Sequence, residues 1–133
     1  MQYMKRLVIG LMVCSLPILA WEAGAVTQPT VQAVHFTPSQ FEKAKRSNLR
    51  FIVAFHKKDC ARCKKQQQIL NELALSPELV ALRLLIADFD DAELVKQFDV
   101  SFHDTLIVYR GPREVSRSQG LLNARAIRQQ ITG

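Results

Sequence analysis

From residue 31 onward the spacing of apolar positions changes several times, and each change marks a new element. Val31-Gln32-Ala33-Val34-His35-Phe36 alternates as a short strand does. Thr37-Pro38-Ser39-Gln40 then reads as a helix start, with Thr37 as cap, Pro38 at the first helical position and Gln40 closing a capping box. That helix is expected to run to about Arg46. Phe51 to Phe55 is a continuous apolar run, the mark of a strand covered on both faces. From Ala61 to Leu75 there is no Gly or Pro, and Cys63, Ile69, Leu70, Leu73 and Ala74 share one helical face before Ser76-Pro77 ends the helix.

Leu82 to Phe89 reads as a second buried strand, and Asp90-Asp91-Ala92-Glu93 as a capping box for a helix reaching about Phe98. Thr105 to Tyr109 is a strand, Gly111-Pro112 a turn, and Glu114 to Arg117 its hairpin partner. Asn123 caps a last helix to Ile131. Strands alternating with helices imply parallel pairing in the middle of a sheet, and the late hairpin implies an antiparallel edge. The pattern predicts an α/β domain over residues 33–133.

Ahead of this pattern lies a different kind of sequence. Lys5 and Arg6 precede a largely apolar run of 14 residues, Leu7 to Ala20, and Ala23-Gly24-Ala25 supplies the small residues a signal peptidase accepts. Residues 1–25 are therefore expected to be a signal peptide and 26–32 a tether. The run is shorter than the roughly 20 residues that span a bilayer, and Pro17 interrupts it, so stable membrane insertion is not expected; an uncleaved N-terminal anchor is the alternative. Val13 before Cys14 does not suit a lipoprotein site. The expected location is exported: periplasmic in a Gram-negative bacterium, extracellular otherwise.

Cleavage after Ala25 leaves 108 residues with 16 basic and 11 acidic side chains, a net charge of +5, enough for one small domain with one core and expected to be a monomer. The basic residues are dispersed rather than laid in a stripe with aromatics, so nucleic acid is not an expected partner.

Only two cysteines follow the leader, in Asp59-Cys60-Ala61-Arg62-Cys63-Lys64-Lys65. A Cys-x-x-Cys at the first turn of a helix suits disulfide exchange: the helix N-terminus favours a thiolate at Cys60, and Cys63 lies one turn further in, on the same side. Lys58, Arg62 and Lys64 are expected to lower the thiol pKa further, with Asp59 a partial counterweight. The chemistry needs no cofactor, because the cysteines carry both electrons.

Strand, Cys-x-x-Cys, helix and later hairpin together resemble the thioredoxin family over about Val31 to Ile131. Phe51 to Phe55 is similar to its central strand, Cys60 to Lys64 to its active-site turn, Phe98-Asp99-Val100 to its Tyr-Gly-Val, and Gly120 to the glycine before its last helix. The resemblance implies a three-layer α/β/α sandwich around a mixed sheet. It also implies a substrate groove lined by His103, Asp104 and Thr105, and exported protein thiols and disulfides plus a redox protein as partners. Asp104 stands where the family carries a cis-proline, and a cis bond before a non-proline residue costs about 3–4 kcal/mol, so the His103–Asp104 peptide is expected to be trans. An Asp104 carboxylate beside the sulfurs is expected to oppose a thiolate at Cys60. Ala54 replaces the family's buried acid, His56, Asp59 and Ala61-Arg62 replace its aromatic and Gly-Pro surroundings, and Gln68 replaces its helix proline. His56 or His103 is then the candidate base.

The expected function is an exported thiol–disulfide oxidoreductase with Cys60 attacking and Cys63 resolving. Two alternatives compete: a redox-inert binding module braced by the disulfide, and a zinc or copper carrier using Cys60 and Cys63, with His103 and Asp104 converging on them.

Overall fold

The computed structural model describes residues 33–133; the expected signal peptide, the tether and the start of the first expected strand lie outside them. Five strands form one sheet in the order β1-β3-β2-β4-β5. β1 (Ala33–His35) and β2 (Arg50–His56) each pair in parallel with β3 (Arg83–Asp88). β4 (Thr105–Arg110) runs antiparallel to β2 and β5 (Arg113–Gln119) antiparallel to β4, with an irregularity at Val108/Tyr109. Four helices cover the sheet: α1 (Pro38–Arg46), α2 (Ala61–Leu73), α3 (Ala92–Gln97) and α4 (Ala124–Thr132). A single 3-10 turn, Pro77–Leu79, follows α2.

The side-chain period of two along β2 divides the core into two layers. Phe51, Val53 and Phe55 pack with Phe41 and Ala44 of α1 and with Leu85, Phe98, Ile107 and Tyr109, while Leu94 and Val95 of α3 close that side. Ile52 and Ala54 point the other way, against Leu70 and Leu73 of α2 and Ile127 and Ile131 of α4. This is the three-layer α/β/α sandwich with a mixed sheet.

Thr37 caps α1 by accepting the Gln40 N–H, and Asn123 caps α4 by accepting the Ala126 N–H. The α3 cap is Asp91 rather than Asp90. Asp91 Oδ1 accepts the N–H groups of both Glu93 and Leu94, whereas the Asp90 N–H is already held by Asp88 Oδ1 in the preceding turn. β5 is longer than the expected Glu114 to Arg117; Arg113-Glu114-Val115-Ser116-Arg117-Ser118-Gln119 is a polar, mostly exposed edge strand, so no apolar alternation marks its ends. Central β2 delivers the chain to the first turn of α2, and β4 begins beside it, at Thr105 opposite Phe55.

Candidate functional site

Cys60 is the N-cap of α2 and is joined to Cys63 in a disulfide, with Cα atoms 5.3 Å apart. The Cys60 Sγ accepts the backbone N–H of Cys63 at 3.1 Å. A free N–H at a helix start is directed at the sulfur, so on reduction it stabilises a thiolate at Cys60. Cys63 is buried at 2 % exposure and Cys60 is partly exposed, which makes Cys60 the sulfur a partner can reach. Asp59, just before the pair, holds a left-handed φ of +58° that turns the chain from the strand into the helix.

The loop before β4 faces the sulfurs. His103 Nδ1 lies 3.2 Å from Cys60 Sγ and 3.5 Å from Cys63 Sγ, and its ring meets Phe89 edge-on at 5.9 Å. The Cys63 sulfur also lies 3.4 Å from the His103 carbonyl oxygen. The His103–Asp104 peptide is trans, as for every peptide bond among the described residues.

Asp104 is buried, and its carboxylate is taken up by Arg62, whose Nε donates to Oδ2 at 2.9 Å while Nη2 donates to the Gly120 carbonyl at 3.1 Å. Arg62 is thus committed to Asp104 and Gly120, and the Asp104 charge is compensated within the clasp. Thr105 is fully buried and donates its hydroxyl to the Phe102 carbonyl at 2.7 Å, closing its own turn. Arg62, Phe102, His103, Asp104, Gln119 and Gly120 line a groove of about 370 Å³, with Phe102 56 % exposed at its rim. A second groove of similar volume lies on the other side of the pair, where Lys57, Lys58, Asp59 and Lys64 surround His56 and Cys63.

Sequence reasoning missed Gln66. It is fully buried, and its Nε2 donates to the carbonyls of Asp104 at 3.2 Å and Leu121 at 3.1 Å, while Oε1 lies 3.4 Å from His56 Nε2. One amide therefore ties α2 to both loops that flank the cysteines. Its position was the available signal: three residues after Cys63 and four before Leu70, on the buried face. Gln68, two residues on, is exposed on the other side of α2 and takes no part in that network. Burial lowers the His56 pKa from its usual 6.5; the Gln66 hydrogen bond and the Asp104 charge oppose that shift, and His103 adds to it. Of the two candidate bases, His103 reaches the sulfurs and His56 is held by Gln66. Ala54 is fully buried in the apolar layer beneath α2, so no acid lies there.

The thioredoxin family profile matches residues 32–133. Trxlp from Edwardsiella tarda EIB202 has a crystal structure similar to this one, with 31% identity and a TM-score of 0.70 over 76% of this chain and 100% of that chain. Thioredoxin from Trypanosoma brucei brucei matches at 20% identity and a TM-score of 0.65, over 76% of this chain and 88% of its own. Malassezia sympodialis thioredoxin matches at 13% identity and a TM-score of 0.67, over 78% and 91%. No curated protein sequence matches the chain.

Proposed function

This chain belongs to the thioredoxin family, and from that premise we propose that it is an exported thiol–disulfide oxidoreductase acting on the disulfides of exported proteins. The fold and the Cys60–Cys63 pair give it a thiol redox role. The observation that carries the finer reading is the asymmetry of the pair: a partly exposed Cys60 at the helix cap with an N–H on its sulfur, and a buried Cys63 behind it. Export rests on the basic, apolar and small-residue order of residues 1–25.

In the reducing direction, the Cys60 thiolate attacks one sulfur of a partner disulfide. A Cys60–partner mixed disulfide forms, and the other partner sulfur leaves as a thiolate. Cys63 then gives its thiol proton to His103 Nδ1 and attacks Cys60 Sγ; the mixed disulfide breaks, the second partner thiolate leaves, and the Cys60–Cys63 disulfide closes. Two electrons pass from the pair to the partner. The reverse sequence oxidises a partner dithiol. Within this reading His103 replaces the missing buried acid as the proton acceptor, and Lys58 and Lys64 favour the thiolate from the opposite groove. The groove at Phe102, His103 and Asp104 receives partner backbone, with Thr105 bracing its turn.

The test is catalysed reduction of insulin by a dithiol. Cys60→Ala should abolish turnover, and Cys63→Ala should accumulate a mixed disulfide through Cys60. Equal residual turnover in both variants would contradict the assignment. His103→Ala should slow resolution by about 10²-fold, the usual worth of a positioned base, with partial recovery as pH rises. An unchanged rate would remove His103 from the mechanism.

A further inference from the structure

The same three side chains that serve exchange are also a complete set of soft-metal ligands once the disulfide opens. Cys60 Sγ, Cys63 Sγ and a His103 ring nitrogen all lie within 4.8 Å of one another. Nδ1 is 3.2 Å from one sulfur and 3.5 Å from the other. With zinc–sulfur bonds of about 2.3 Å and zinc–nitrogen bonds of about 2.0 Å, the nitrogen–sulfur edge of a tetrahedron is about 3.5 Å, so His103 already stands at ligand spacing. Thiolate and imidazole both suit zinc, which has no redox chemistry of its own to consume the two thiols. Their charges suit it as well: two thiolates neutralise a divalent cation, so the basic side chains around the groove face no net positive centre.

We propose that the reduced protein binds one zinc ion through Cys60, Cys63 and His103, and that the oxidised protein does not. A dithiol first opens the Cys60–Cys63 disulfide, becoming a disulfide itself. Zinc then displaces the two thiol protons and accepts the lone pair of His103, without change of its own oxidation state. The partial exposure of Cys60 and His103 leaves the fourth position to water or to an incoming thiolate. Bound zinc occupies the attacking sulfur and the proposed base together, so the metal-loaded state cannot exchange disulfides. The result is a redox-gated metal site: once the ion dissociates, a partner disulfide takes two electrons from the pair and becomes a dithiol, the Cys60–Cys63 disulfide closes, and the ion can no longer rebind. The Arg62–Asp104 clasp bears on selectivity, because it keeps the neighbouring carboxylate out of the ligand set.

The site rests on the pair being reducible, as the proposed function does, so thiols and metal are counted in one sample. Dithiol-treated protein, freed of reductant under anaerobic conditions, is titrated with zinc against a chromophoric chelator, and with cobalt(II) to read thiolate-to-metal absorption. One ion per chain bound by the reduced protein and none by the oxidised protein is the expected result. His103→Ala should weaken zinc by at least about tenfold, since even the loss of an outer-shell partner costs 10–100-fold, while the count of two thiols stays unchanged. His103→Cys should restore tight binding. Two free thiols with no metal bound would overturn the zinc site and leave the exchange reading standing; no free thiols after reduction would overturn both. Equal zinc affinity in His103→Ala and the parent would overturn the three-ligand site.

Discussion

Asp59 and His56 show how single residues shape the surroundings of the cysteine turn. The left-handed φ of Asp59 is a strained conformation that Asp tolerates better than residues branched at Cβ. Asp59→Val should cost about 1–2 kcal/mol of stability in urea titration, with Asp59→Gly close to neutral; the same loss in both would place the effect in the carboxylate instead. Nothing in the sequence separates Asp59 from Asp90 in this respect, because backbone direction is fixed by where β2 must hand over to α2. His56 carries a pH dependence. Its folded pKa lies below its usual 6.5, so the unfolded chain takes up this proton first. Stability from this group is therefore complete above that value and falls as pH drops through about 6.5 toward the folded pKa. Urea midpoints should decline over that window and His56→Gln should flatten the decline; an identical pH profile in both proteins would exclude His56 as the source.

The elements around the site are held by polar groups that an apolar pattern does not display. α2 reads clearly as a helix because Cys63, Leu70, Leu73 and Ala74 recur on one face, yet the residue that completes that face is Gln66. Two of its contacts fix α2 against the loops before β4 and before α4, and the third reaches His56 at the end of β2. Gln66→Ala should cost about 1–3 kcal/mol in chemical denaturation, the usual penalty for buried partners left unsatisfied. It should also slow the step assigned to His103, whose loop it anchors. A stable variant with full activity would show that the amide only fills space. Gly120 belongs to the same construction: its φ is +67°, and a Cβ there would meet Arg62 Nη2 at 2.7 Å. The pairing of Arg62 with Asp104 was hidden from the sequence for the same reason, since 42 residues separate two side chains that only the β4 loop brings together. Local signals did identify the caps Thr37 and Asn123. At α3 the ambiguity between adjacent aspartates was settled only by the turn in which Asp90 takes part.

At the scale of the whole molecule, the order of strands and helices was legible because β2, β3 and β4 are apolar on both faces and separated by well-capped helices. The extent of β5 was not, because an edge strand facing solvent carries no such pattern. The cysteine pair was visible as a motif, while the histidine opposing it needed the fold to bring residue 103 across to residues 60 and 63. No helix among the described residues is long and apolar enough to cross a membrane. The sandwich as a whole serves to present one helix start, with its cysteines, to one facing loop. Under the proposed function, a Cys60 thiolate stabilised by that helix start and by Lys58 and Lys64 would favour the reduced form and raise the potential of the couple. The most direct measurement is the reduction potential of the Cys60–Cys63 pair, equilibrated against glutathione buffers under metal-free conditions. The account predicts a reversible two-electron couple less reducing than the roughly −270 mV of thioredoxin. A pair that shows no reversible couple, and stays locked across the accessible range, would contradict the exchange function.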